Sequence, residues 1–170
     1  MNTKRNGKIL LTVYLIVLVW ILLFKLALSL PGIIQSFNTQ RSLNLIPFQG
    51  STIINGKIGF LEIFYNFLIF LPFGGLLSVS SKRTSFLEKT MLMIAFSLTI
   101  EILQFILGIG ASDVTDLLMN ALGGIMGLLI YRLLLRSFPE IKLDKFLVML
   151  GSVIFVLCLA FVAFIIIYNL

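Results

Sequence analysis

Between Glu101 and Gly127 the chain reads EILQFILGIGASDVTDLLMNALGGIMG, and there carboxylates, amides and glycines recur at regular spacing within otherwise apolar sequence. Glu101 and Gln104 stand three residues apart, so on a helix they share a face. Asp113, Asp116 and Asn120 follow at i, i+3 and i+7, and Gly123, Gly124 and Gly127 continue that stripe. GIGAS, with glycines at 108 and 110, reads as a short turn between the two sets. The expected element is a helical hairpin with polar groups on the facing sides of its tip. The sequence has no histidine, so acid–base chemistry falls to carboxylates, lysine or tyrosine, and the commonest zinc ligand is absent. Glu101 and Asp116 are the candidate catalytic pair, and no metal or cofactor is expected.

These residues must be positioned by membrane helices. Of 170 residues 59% are hydrophobic and 12% charged, and the mean hydropathy is +1.12. A soluble domain of this size cannot keep so much apolar surface from water. Several apolar runs reach the roughly 20 residues needed to cross a bilayer. The expected fold is all-α, a polytopic membrane bundle of about five helices in a single domain, with spans near 9–30, 59–79, 91–107, 117–135 and 146–168. The net charge of +6 lies in short clusters between the runs, which points to membrane orientation and away from nucleic acid. Cys158 sits alone deep in an apolar run, so neither an intrachain disulfide nor thiolate chemistry is expected.

The first run exceeds a signal-peptide core of roughly 7–15 residues, so an uncleaved span is expected despite Ala27-Leu28-Ser29 near its end. Lys25 is expected to snorkel to the interface. Segment 31–59, broken by Pro31, Gly32, Pro47, Gly50 and Gly56, reads as a connecting loop in which Phe48 rests at the interface. In the second run Asn66, Phe70 and Gly74 share a face, and Pro72 is expected to kink the helix as a packing device. The last run reads as scaffold.

Lys and Arg number three before the first span, three in the 80–90 turn and four in the 132–145 turn; the 31–59 loop has two, and the 108–116 turn and C-terminus have none. The positive-inside bias therefore orients the N-terminus to the cytoplasm and the C-terminus outward. In that orientation Asp113 and Asp116 lie at the outer interface, with Asn120, Gln104, Glu101 and Asn66 one to two turns deeper, and Arg41 and Asn44 in a loop above them.

Each residue has a plainer role to set beside a functional one. Asp113 and Asp116 match an N-cap and an acidic N3. Pro72, Gly74, Gly123, Gly124 and Gly127 match helix packing, the last of them through Gly123-x-x-x-Gly127. Asn66, Gln104 and Asn120 match interhelical hydrogen bonds. Glu101 resists such an explanation, since an ionised carboxylate near mid-membrane costs about 2.5–3.5 kcal/mol on insertion scales. Desolvation disfavours its charged form, so its expected role is proton donor or hydrogen-bond anchor.

RSLNLIPF (Arg41 to Phe48), the YNFLIFLPFGG stretch carrying Asn66 to Gly75, Glu101-x-x-Gln104 and SDVTDLLMNALGGIMG (Ser112 to Gly127), in that order, resemble the VanZ-like family of small bacterial membrane proteins. The resemblance covers residues 41 to about 130. Many members carry arginine where Gly110 stands here and often an aromatic at Ser112. The resemblance implies a protein of the bacterial cell envelope, in a family named for a role in teicoplanin resistance, and brings no agreed reaction with it.

The favoured expectation is an outward-facing intramembrane pocket, lined by Arg41, Asn44, Asn66, Gln104, Asp113 and Asn120 around Glu101 and Asp116. It would bind or modify an amphiphile: a membrane lipid, a lipid-linked wall intermediate or the tail of a lipoglycopeptide. One alternative is a transporter or proton pathway relayed by Glu101, although the cytoplasmic halves of the spans offer no charged path. Another is a non-catalytic packing partner for a second membrane protein.

Overall fold

A computed structural model describes residues 3–24, 40–48, 53–54, 57–58 and 60–168. The five apolar runs form five helices, all long and apolar enough to span a membrane: α1 (Thr3–Phe24), α2 (Phe60–Ser80), α3 (Phe86–Leu107), α4 (Val114–Leu134) and α5 (Glu140–Tyr168). The protein is an all-α, multi-pass integral membrane protein. Lys25 and the Ala27-Leu28-Ser29 segment lie outside the described residues.

Several helices start ahead of their apolar runs because polar residues begin them. Ser85 caps α3: its hydroxyl accepts from the Glu88 N–H at 3.2 Å, and the Glu88 carboxylate accepts from the Ser85 N–H at 2.6 Å, a reciprocal capping box. α3 ends at Gly108, whose left-handed backbone (φ 65°) suits a residue without Cβ.

Two expectations need correction. Residues Ile109–Asp113, read as part of a turn, form strand β4, which pairs in parallel with β1 (Gln40–Asn44) from the segment read as a plain loop. The register runs from Gln40 opposite Ile109 to Asn44 opposite Asp113. Once Gly108 has ended the helix, the extended chain leaves backbone donors and acceptors open, and the ladder satisfies them. A second, antiparallel pair joins β2 (Ile53–Ile54) to β3 (Lys57–Ile58).

Contacts along the helices set their directions. Gly7 lies beside Val79 and Ser80, and the Tyr14 hydroxyl donates to the Ile69 carbonyl, so α1 runs antiparallel to α2. Gly151 lies beside Leu10, so α5 runs parallel to α1. The start of α1, the α2–α3 turn and the α4–α5 turn thus share one end of the bundle, and the β1–β4 ladder marks the other. α2 continues through Pro72, which offers no N–H to the Leu68 carbonyl one turn back. Tyr14 supports the adjacent carbonyl in that weakened turn. Tyr14→Phe is expected to lower stability by about 1 kcal/mol, read as the thermal midpoint of the purified protein.

The most extensive packing joins α2 to α4, where glycines permit backbone contact. A Cβ on Gly74 would fall 2.1 Å from the Gly124 carbonyl oxygen, on Gly123 2.0 Å from that of Phe67, and on Gly127 2.1 Å from that of Leu71. Gly124 faces α3 instead, 2.5 Å from Met93 Sδ on the same construction. Phe70 and Phe73, with Met93, Leu18 and Leu128, fill the core beside this seam. The last run is more than scaffold: Leu143, Asp144 and Val148 at the start of α5 are buried, while most of its remainder is exposed.

Candidate functional site

One face of α3 is polar where it turns towards its neighbours. Ser97, Glu101 and Gln104 are all buried, on the stripe that also carries Met93 and Ile100. Glu101 is 5% exposed, and its Oε2 accepts two bonds, from the Ser112 hydroxyl at 3.0 Å and the Asp113 backbone N–H at 2.9 Å. Both donors belong to the end of β4, so this carboxylate fixes the point at which the strand passes into α4.

Asp113 extends the network in two directions. Its Oδ1 accepts from the Thr115 N–H at 2.7 Å, capping α4, and its Oδ2 accepts from Asn44 Nδ2 at 3.0 Å. Asn44 Oδ1 accepts in turn from the Ile46 N–H at 3.2 Å, and Thr115 Oγ1 from the Phe48 N–H at 2.9 Å. Residues 45–48 are thereby folded over the α4 N-terminus with Phe48 at φ 64°, a conformation that costs a residue with Cβ about 1–2 kcal/mol. The folded segment presents Leu43, Leu45, Ile46 and Phe48 as exposed apolar side chains.

Two other candidates have different partners. Gln104 Nε2 donates at 2.9 Å to the carbonyl of Leu22 on α1. Asn120 Nδ2 donates at 2.9 Å to Ser97 Oγ, locking α4 to α3. Among the described residues Gln104 Oε1 and Asn120 Oδ1 are buried without a hydrogen-bond donor. Asp116 is half-buried in the first turn of α4, and Asn66 is half-buried on α2. Arg41 sits in β1 opposite Gly110; its side chain lies outside the described set. The structure therefore joins Glu101, Asp113 and Asn44 in one chain of bonds and places Gln104 and Asn120 on separate links to α1 and α3. Ser97, Ser112 and Thr115 were not sequence candidates. Ser97 had a visible signal, four residues before Glu101 on the same face.

A second polar cluster lies at the opposite end of the bundle and was read only as topological charge. Lys82 Nζ stands 2.8 Å from Glu140 Oε1 and 2.8 Å from Asp144 Oδ2, and it also reaches the Tyr131 hydroxyl, which donates to Asp144 Oδ1 at 2.7 Å. Burial alone would lower the Lys82 pKa, but hydrogen bonds to Asp144, Glu140 and Tyr131 outweigh it and hold the ammonium well above the ordinary lysine value. A raised folded value means the contribution is complete below the unfolded pKa of about 10.4 and fades only as pH climbs through the folded one. The cluster should therefore hold from pH 6 to 9. Lys82→Met, which removes the cation from Asp144 and leaves it the Tyr131 hydroxyl, is expected to cost about 1–3 kcal/mol, less than for a fully buried pair because the lysine side chain keeps 28% of its surface. A thermal midpoint equal to the parent at pH 7 would contradict this.

Comparison with known proteins supplies the remaining observations. The VanZ/LLP1 family model matches residues 11–135. The chain is 42% identical over 160 residues to Protein VanZ of Enterococcus faecium, covering 91% of this chain and 94% of that protein. No solved structure matches.

Proposed function

Given that the chain belongs to the VanZ/LLP1 family, we propose that it contributes to resistance against teicoplanin-type glycopeptides by holding an amphiphile at the bundle end that carries Glu101. In this reading the protein lies in the bacterial cytoplasmic membrane, with its N-terminus in the cytoplasm and its C-terminus outside. Its basic loops cluster at the end away from the β1–β4 ladder, which supports that orientation.

The carrying observation is the exposed apolar segment at this end of the bundle. Leu43, Leu45, Ile46 and Phe48 are held outward by bonds from Asn44 to Asp113 and from Phe48 to Thr115. An amphiphile meets this end of the bundle through its tail, which lies along the exposed apolar segment. Lipid-linked wall intermediates and lipid-tailed glycopeptides both fit that chemistry. Glu101 serves as the anchor that shapes the strand, and Asp116 lies in the first turn of α4.

The test is resistance in a susceptible bacterial host. Leu45→Ser combined with Phe48→Ser changes exposed side chains only, so folded protein should persist while the teicoplanin inhibitory concentration returns towards that of the host. Unchanged resistance at equal expression would remove the apolar segment from the function. Topology is checked separately. A tag after Leu170 should be labelled in intact cells, and labelling only after permeabilisation would invert the orientation.

A further inference from the structure

A groove of about 890 Å³ lies away from Glu101, between α1 and α5. Val153 and Val156 of α5 and Leu10 of α1 stand on its walls, and Ser152 beside them donates its hydroxyl to the Val148 carbonyl at 2.7 Å. Its stem is therefore apolar. Its mouth carries Asn6, Lys142 and Lys145. Both lysines are exposed and have no ion-pair partner among the described residues, in contrast to Lys82, which is held by Glu140 and Asp144.

Dimensions narrow the occupant. From Lys142 to Val156 the groove follows α5 for about 21 Å at 1.5 Å per residue. One leaflet of hydrocarbon is about 15 Å deep, half of a roughly 30 Å core, so the groove reaches from headgroup level through one leaflet. Two ammonium groups at that level complement a phosphate rather than a neutral head.

We propose that this groove is a binding site for an anionic glycerophospholipid, with the phosphate at Lys142 and Lys145 and an acyl chain lying between α1 and α5. The site is independent of the Glu101 end of the molecule and of which way the protein faces.

The experiment uses the full chain, reconstituted in nanodiscs containing equal phosphatidylglycerol and phosphatidylcholine. Retained lipid is counted by native mass spectrometry after mild delipidation. The parent should keep phosphatidylglycerol in preference, and Lys142→Gln with Lys145→Gln should reduce that preference about thirtyfold, from the loss of two lysine–anion attractions. Val153→Trp, which fills the stem but leaves the lysines, should lower retention of the lipid as well. Arg83→Gln with Arg136→Gln, basic residues outside the groove lining, should leave the preference unchanged. Three results would overturn the proposal. The double lysine variant keeps the parental preference; the Arg83 and Arg136 variant loses as much, which means a general basic belt; or position 153 crosslinks to its counterpart in a dimer that carries no lipid, which makes the groove an interface between copies.

Discussion

Gly123→Ala is expected to lose most of its folded protein, while Gly75→Ala, a glycine on the helix packed against it, keeps the parental yield. The difference follows from what a single methyl meets. At Gly123 it would lie 2.0 Å from the Phe67 carbonyl oxygen, part of a helix backbone that cannot turn aside; at Gly75 nothing lies within 4 Å. Overpacking in a core costs about 1–3 kcal/mol when side chains can adjust, and here the obstacle is main chain, so the upper end or beyond applies. Gly127→Ala and Gly74→Ala meet Leu71 and Gly124 carbonyls at 2.1 Å and should behave like Gly123→Ala. Gly124→Ala meets the flexible Met93 side chain and should fall between. Size-exclusion traces and thermal midpoints of the detergent-solubilised variants make the comparison. Equal midpoints for Gly123→Ala and Gly75→Ala would mean that α2 and α4 do not touch in the membrane.

The second large effect belongs to Glu101. Glu101→Ala leaves the Ser112 hydroxyl and the Asp113 N–H buried without their acceptor, at about 1–3 kcal/mol for each stranded donor. The strand end, the Asp113 cap and the Asn44 bond then loosen together, and folded yield should fall sharply. Glu101→Gln keeps an acceptor oxygen and the side-chain volume, so folded yield should stay near that of the parent. Resistance then separates two roles. A fall in Glu101→Gln at normal yield means that the carboxyl group itself, as proton donor or charge, serves the function; resistance that follows yield across both variants means that Glu101 acts only by holding β4 in place. Normal resistance in both Glu101→Gln and Asp116→Asn at parental expression would leave those two residues a purely structural part.

The five helices were legible because a bilayer demands long apolar runs, and hydropathy reads these directly. The start of α3 was less so: Phe86 begins the helix ahead of its apolar run because Ser85 caps it, and a cap is a polar residue that hydropathy alone assigns to the loop; Asp113, which matches an N-cap by pattern, does cap α4. The β1–β4 ladder had no local signature, since parallel pairing of Asn44 with Asp113 joins segments 69 residues apart through backbone groups common to every residue. Helical spacing brought Glu101 and Gln104 to one face, but it could not say what each would meet. Gln104 turned to the Leu22 carbonyl of α1, a backbone partner that no residue pattern marks. Lys82 entered the sequence reading only as one of three basic residues in its turn and Asp144 not at all, and only the return of α5 to the α2–α3 turn made them an ion pair.

The central claim is that the end of the bundle bearing Glu101 and the 43–48 segment holds an amphiphile by its tail. Binding of a lipid-tailed glycopeptide and of its tail-less counterpart to the purified protein in nanodiscs, each measured for the parent and for Leu45→Ser with Phe48→Ser, tests it most directly. The expected result is saturable binding of the tailed compound to the parent, at least about tenfold weaker for the tail-less compound and for the variant, since each loss removes the burial of apolar groups worth at least about 1.4 kcal/mol. Equal binding of the tailed compound by parent and variant, or no binding beyond that of empty nanodiscs, would contradict it.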